Sequence, residues 1–119
     1  MGRDGVREPA RNPQDLERML VSRQHDRDLE GMVALYEPDA VLDLGSGRLV
    51  RGRDAIAELF EGGIAEGRQF AIGVQRPAVI SGDLALTSTR LPDGTVTSEV
   101  ARRQPDGTWL WVIDRFSVE

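Results

Sequence analysis

The stretch DLEGMVALYEPDAVLDLGSGRLVRGRDAIAELF, residues 28–60, changes its hydrophobic period twice. Behind Asp28, a residue type that caps helices, Leu29, Met32, Val33 and Tyr36 fall at helical spacing, and Pro38-Asp39 reads as the stop of that helix. Residues 40–44 then alternate, with Val41 and Asp43 on one side of a pleat and Ala40, Leu42 and Leu44 on the other. Gly45-Ser46-Gly47 followed by RLVRG closes a small hairpin. From Arg53 the helical period returns, with Ile56, Leu59, Phe60 and Ile64 on one face.

Upstream, Asn12 reads as an N-cap and Pro13 as a first helical residue, and Leu16, Met19, Leu20 and Arg23 carry that helix to about residue 25. Residues 1–11 read as a disordered or extended lead, and residues 12–119 as one domain. Beyond Gly67 the texture is β: QFAIGVQ, LALTSTR, TVTSEVARR and WLWVIDRFSV are four strand candidates, the last three joined by Pro-Asp-Gly turns at 92–94 and 105–107. The order predicts an α+β fold, cone-shaped, with three N-terminal helices packed on a curved, mainly antiparallel sheet. A twisted sheet curling around its helices leaves a cavity between the layers.

Composition narrows the function. Of 119 residues, 39% are apolar and 13 are glycine, as in a globular chain. The net charge of -5 argues against nucleic acid and anionic membrane surfaces, and no run of apolar residues is long enough to span a bilayer. All 15 basic residues are arginine. Without cysteine there is no disulfide and no thiolate chemistry, and a single histidine, His25, cannot build a histidine-rich metal site. The expectation is a cytoplasmic protein with no cofactor and no metal. The glycine-rich GSGRLVRG lacks the context and the lysine of a phosphate loop, so it is read as a turn.

The segment 28–60 and the terminal PDGTWLWVIDRFS, 105–117, resemble the nuclear transport factor 2-like superfamily, in particular its SnoaL-like and ketosteroid isomerase-like branches. The resemblance covers almost everything after residue 12 and implies a cone-shaped pocket for a small, mostly apolar organic molecule. It implies cofactor-independent acid–base chemistry of the isomerase, cyclase or hydratase type, or a non-catalytic binding or dimerisation module of the same fold. It puts Asp43 at the place of the isomerases' general-base aspartate, which would turn the Val41 face inward. Glu99 falls where those isomerases hold a protonated oxyanion-binding aspartate, and Asp114 where SnoaL-type cyclases place a catalytic aspartate. Leu20 stands at about the place of the isomerase tyrosine, so that phenol is absent.

Each carboxylate also has a plainer reading. Asp43 could cap the glycine turn or pair with Arg48, Asp114 could form a buried ion pair with Arg90 or Arg102, and Glu99 could meet an arginine on the surface. If three carboxylates do share the cavity, at least one is protonated near neutral pH, with Arg90 as the candidate counter-ion. In the last strand Leu110, Val112, Asp114 and Phe116 alternate with Trp109, Trp111, Ile113 and Arg115. Strict alternation sends Asp114, Val112 and Phe116 into the cone beside Tyr36, Val41 and Leu20, and turns Trp109 and Trp111 outward as a homodimer surface.

Overall fold

A computed structural model describes residues 7–118. Helix α1 spans Asp15–His25 and buries Leu16, Met19, Leu20, Val21 and Gln24. It begins later than Pro13 because Asn12 and Asp15 close a turn on themselves. The Asp15 N–H donates to the Asn12 carbonyl at 3.0 Å, and the Asp15 carboxylate accepts from the Asn12 N–H at 3.2 Å, so Asn12 is not the N-cap. Helix α2 is short, Leu29–Val33, and is capped by Asp28, which accepts the Gly31 N–H at 3.0 Å. Helix α3, Arg53–Ala65, buries Ile56 and Phe60.

Tyr36 does not continue α2. It opens strand β1, Tyr36–Gly45, which pairs with β2, Arg48–Arg51, across a Ser46-Gly47 turn whose φ angles of 54° and 78° are both left-handed. That conformation matches the twist of a hairpin and is the reason glycine is wanted there. Pro38 is tolerated inside β1 because regular pairing lapses between Tyr36 and Val41. The Arg53 guanidinium supplies the donors there, reaching the Tyr36 carbonyl at 2.9 and 2.6 Å.

The remaining strands are β3 (Val74–Gln75), β4 (Val79–Ser81), β5 (Leu84–Thr87), β6 (Thr89–Arg90), β7 (Ser98–Arg103) and β8 (Trp109–Arg115). The main sheet runs β2-β1-β8-β7-β5-β4, antiparallel except where β1 lies parallel to β8, and β3 and β6 form a separate ribbon. A plain four-stranded meander is therefore corrected: LALTSTR bends at Ser88 and feeds both sheets, QFAIGVQ is strand only at its end, and Val79–Ser81 adds an edge strand. The helices cover one face of the main sheet, and the core of Leu16, Met32, Tyr36, Leu42, Ile56 and Trp111 lies between.

Strand β8 departs from alternation. Val100 faces Ile113 while Ala101 faces Trp111, which leaves Val112 as the extra residue of a β-bulge. The bulge flips the side-chain parity, so Trp109, Trp111 and Asp114 all point to the helical face. The expectation of an outward tryptophan pair is corrected, since Trp109 and Trp111 are 5% and 1% exposed.

The described part of the N-terminal lead is held in place. Ala10 is buried, its carbonyl accepts the Trp109 N–H at 2.9 Å, and Arg7 forms two hydrogen bonds with Asp28 at 2.7 and 2.8 Å. Residues 1–6 of the expected lead lie outside the described residues. No helix among the described residues is long and apolar enough to cross a membrane.

Candidate active site

The inner face of the main sheet carries one polar row. Register places Thr87 beside Glu99, Glu99 beside Asp114, and Asp114 beside Leu42 on neighbouring strands. Residues opposite one another in such a ladder have their Cβ atoms only about 5 Å apart. Glu99 and Asp114 are 2% and 4% exposed, so two carboxyl groups sit side by side under the helices.

Each is held by hydroxyls rather than by cations. The Thr87 hydroxyl donates to Glu99 Oε1 at 2.7 Å, and Thr97 adds a second side-chain hydrogen bond. The Tyr36 hydroxyl donates to Asp114 Oδ2, also at 2.7 Å. Tyr36 itself is fully buried, with its ring 5.9 Å from that of Phe60 and 5.1 Å from that of Trp111, so it reaches the site only through Asp114.

A cavity of about 160 Å³ opens above this row. Glu17 and Leu20 of α1 form its roof, Glu99 and Asp114 its floor, and Phe70 and Phe116 one side. Among the described residues, its lining contains no arginine and no histidine. Burial, followed by the charge of Glu99, pushes Glu17 up to about 7. Asp114 is pushed well above the usual carboxylate range by burial and then by Glu99, and burial raises Glu99 as well. Two adjacent carboxyls without a counter-ion cannot both ionise near neutral pH, so this pair retains a proton there.

The SnoaL-like domain family matches residues 16–119. The chain belongs to the SnoaL-like family. None of the curated proteins compared with it matches. Among solved structures, this SnoaL-like chain is similar to an NTF2-like protein with a cystatin-like fold from Novosphingobium aromaticivorans, at 22% identity and a TM-score of 0.63, covering 85% of this chain and 75% of that one. It is similar to a ketosteroid isomerase-like protein from Erwinia carotovora atroseptica, at 18% identity and a TM-score of 0.66, covering 86% and 89%. A protein described as a candidate dehydratase of the NTF2-like family from Streptomyces avermitilis shows 15% identity and a TM-score of 0.66, covering 86% and 90%. At these identities the likeness is one of fold.

Within this SnoaL-like domain the geometry redistributes the roles read from the sequence. Leu20, Glu99, Asp114 and Phe116 line the cavity. Asp43 does not, because Ala40 and Leu42 take the inner face and Val41 and Asp43 the outer one. Asp43 accepts the Gly45 N–H at 2.9 Å and pairs with Arg115 at 2.9 Å, and both bonds hold its carboxyl below the usual range. A general base needs the opposite shift, so that assignment is corrected.

Val41 leaves the pocket with Asp43. Val112 lies in the bulge and does not line this cavity. Arg90 points outward from β6 and is no counter-ion, and Arg102 pairs instead with Glu37 at 3.0 Å.

Glu17 escaped the sequence reading. It is three, four and seven residues before Leu20, Val21 and Gln24, all on the buried side of α1, a spacing that was available. In the first turn of a helix, an acid passes for an ordinary favourable partner of the helix dipole.

Proposed function

We propose that this SnoaL-like protein binds a small, mostly apolar organic molecule and moves a proton on it without a cofactor. The observation that carries this reading is the buried, cation-free pair Glu99 and Asp114 facing a cavity roofed by Glu17. A carboxyl near pKa 7 is matched to general-base work at neutral pH, and a neighbour that keeps its proton can donate a hydrogen bond. In the reaction, the Glu17 carboxylate takes a proton from the carbon next to a carbonyl. The protonated carboxyl of Asp114 donates to the oxygen as charge develops on it, and Glu17 returns the proton to carbon. Tyr36 holds Asp114 in place from behind.

The test is hydrogen–deuterium exchange at the α-carbon of a simple ketone such as cyclohexanone, followed by NMR in heavy water. Exchange above the buffer rate that rises as pH passes about 7, and is lost in Glu17→Gln and in Asp114→Asn, supports the reading. Binding without exchange in the wild type would instead mark a non-catalytic binding module. Leu20 favours that second reading, since it leaves the cavity without the phenol that the resemblance to isomerases would ask for.

The outer face of the main sheet supports self-association. Val79, Leu86, Val100, Ile113 and Val41 pair in register across five neighbouring strands and make one apolar row. Val79, Leu86 and Ile113 are 64%, 49% and 45% exposed. A second copy laid on this row would bury it, so the homodimer surface is this stripe and not the tryptophan pair.

A further inference from the structure

The carboxylate cavity is small. About 160 Å³ falls below the roughly 300–1,000 Å³ that usually encloses a drug-sized ligand. A second recess of about 300 Å³ lies beside it under the C-terminal half of α3, and Phe70 and Phe116 line both. The two rings are a partition between the compartment of the carboxyl row and one lined by Met32, Leu59, Phe60 and Ile64, with Glu58, Glu66 and Arg68 at its exposed edge.

Gly62 and Gly63 also line the recess. They sit inside α3, where each glycine costs about 1 kcal/mol relative to alanine. Neither has a positive φ. A Cβ added at Gly62 would meet nothing within 4 Å, and one at Gly63 only Arg68 Cδ at 3.8 Å. Neither backbone conformation nor close packing asks for glycine here. What the two residues do supply is empty space along the wall of the recess.

The partition is anchored through its main chain. Buried Gln24 donates from its amide to the Arg68 carbonyl and accepts the Phe70 N–H at 3.0 Å, while His25 Nε2 lies 2.8 Å from the Phe70 carbonyl. The Phe70 ring is held only by packing, edge-on to Phe60 at 6.2 Å. Its χ1 can therefore turn while the anchors stay made.

We propose that the two compartments are one bipartite site for an elongated molecule with a single uncharged polar head, a carbonyl or hydroxyl group, and an apolar body. The head lies against Glu99 and Asp114, and the body passes Phe70 into the recess kept open by Gly62 and Gly63. Phe70 sets the length that is accepted. The absence of arginine at the head end disfavours carboxylates and phosphates. This rests on the reading of the carboxylate cavity as a ligand site, but its test reads binding rather than turnover.

The experiment measures affinities of 2-alkanones from 2-butanone to 2-decanone by NMR titration against the wild type, Gly63→Leu and Phe70→Ala. In the wild type, affinity rises by about fourfold per added methylene, the value of burying each one. Gly63→Leu fills the recess with a better helix former, removing the gain for the long ketones and leaving 2-butanone within about twofold. Phe70→Ala removes the partition and strengthens binding of the long ketones relative to 2-butanone. Contacts between the terminal methyl of 2-decanone and the side chains of Met32 and Ile64 in the wild type give a readout that needs no variant.

A length gain that survives Gly63→Leu, or 2-butanone binding with no length gain, overturns the bipartite site while leaving the head cavity as a site. Failure of every ketone to bind overturns both. Length-dependent binding without α-carbon exchange upholds the bipartite site and removes the acid–base reading alone.

Discussion

Glu99 and Asp114 stand directly opposite one another on β7 and β8, and both send their carboxyl groups inward, where the hydroxyls of Thr87 and Tyr36 donate to them. The bulge at Val112 creates this relationship, because without it Asp114 would face away from Trp111's side of the sheet. Glu17 approaches the pair from the opposite layer. All three carboxyls hold their protons more tightly in the native protein than in the unfolded chain.

Stability should therefore fall as pH rises through neutrality. A carboxyl with a raised native pKa contributes its full stabilisation below the unfolded value, near 4.5 for glutamate, and loses it as pH passes the native value, about 7 for Glu17. At about 1.4 kcal/mol per pKa unit, Glu17 alone accounts for a change on the order of 3 kcal/mol across that window. Asp28, held low by Arg7, acts in the other direction and only at lower pH. Thermal melts from pH 5 to 8 check this: Tm should decline in the wild type, and the decline should be clearly smaller in Glu17→Gln. A wild-type Tm that climbs over the same range would contradict the site.

Tyr36→Phe isolates the hydroxyl behind Asp114. A hydrogen bond to an ionised carboxylate lowers its pKa, so removing this one should raise the Asp114 titration further. Asp114 Oδ2 also loses its donor in a buried place, which costs about 1–3 kcal/mol. Side-chain carboxyl NMR and denaturant melts would read the two effects. An unchanged Asp114 titration would mean that the hydroxyl does not tune the site.

Asp43→Asn separates the resemblance from the geometry. Asp43 binds a turn N–H and Arg115 on the outer face, and such exposed pairs contribute little. The α-carbon exchange rate should match that of the wild type, whereas Asp114→Asn abolishes it. Loss of exchange in Asp43→Asn, with the fold intact by circular dichroism, would return Asp43 to the site.

Local signals place the three helices, the glycine hairpin and the two Pro-Asp-Gly turns, but helical spacing carries α2 on to Tyr36, which belongs to β1. The face of β1 was not legible. Val41-Asp43 and Ala40-Leu42 are both chemically acceptable inside, and the choice depends on Trp111 and Asp114 some 70 residues away. Nor could alternation reveal that β8 changes parity at Val112, since a bulge leaves no fixed residue signature when both flanking faces are apolar. Asp114 was placed inside by alternation and is inside by way of the bulge, whereas Trp109 and Trp111 were misplaced by the same rule.

Ile113→Asp tests the proposed homodimer, which it should disperse. Ile113 lies within the outer row, opposite Val100 on one side and Val41 on the other, and it is exposed in the single chain. A charge there costs nothing in the monomer and would be buried unpaired in the pair of sheets. Sedimentation velocity should show a dimer for the wild type and a folded monomer for the variant. A wild-type monomer, or a variant that remains dimeric, would exclude this face.

Gln24→Leu should loosen the segment that carries Phe70. The Gln24 amide is matched to a backbone, donating to the Arg68 carbonyl and accepting from the Phe70 N–H, and it does so from a buried position on α1. Leucine has about the same bulk and fits the apolar side of the helix, but it leaves one donor and one acceptor of the 68–70 segment without partners. Those groups can recover bonds only by turning toward water, which draws Phe70 away from Phe60 and out of the wall it shares with Phe116. The expected result is amide exchange at Phe70 faster by at least about tenfold and a loss of about 1–3 kcal/mol in stability. Gln24→Glu tests the same contact by charge: it keeps the acceptor for the Phe70 N–H and removes the donor to Arg68, so exchange at Phe70 should stay closer to wild type than in Gln24→Leu. Equal exchange rates at Phe70 in all three proteins would show that packing of the ring, and not the Gln24 amide, fixes the partition.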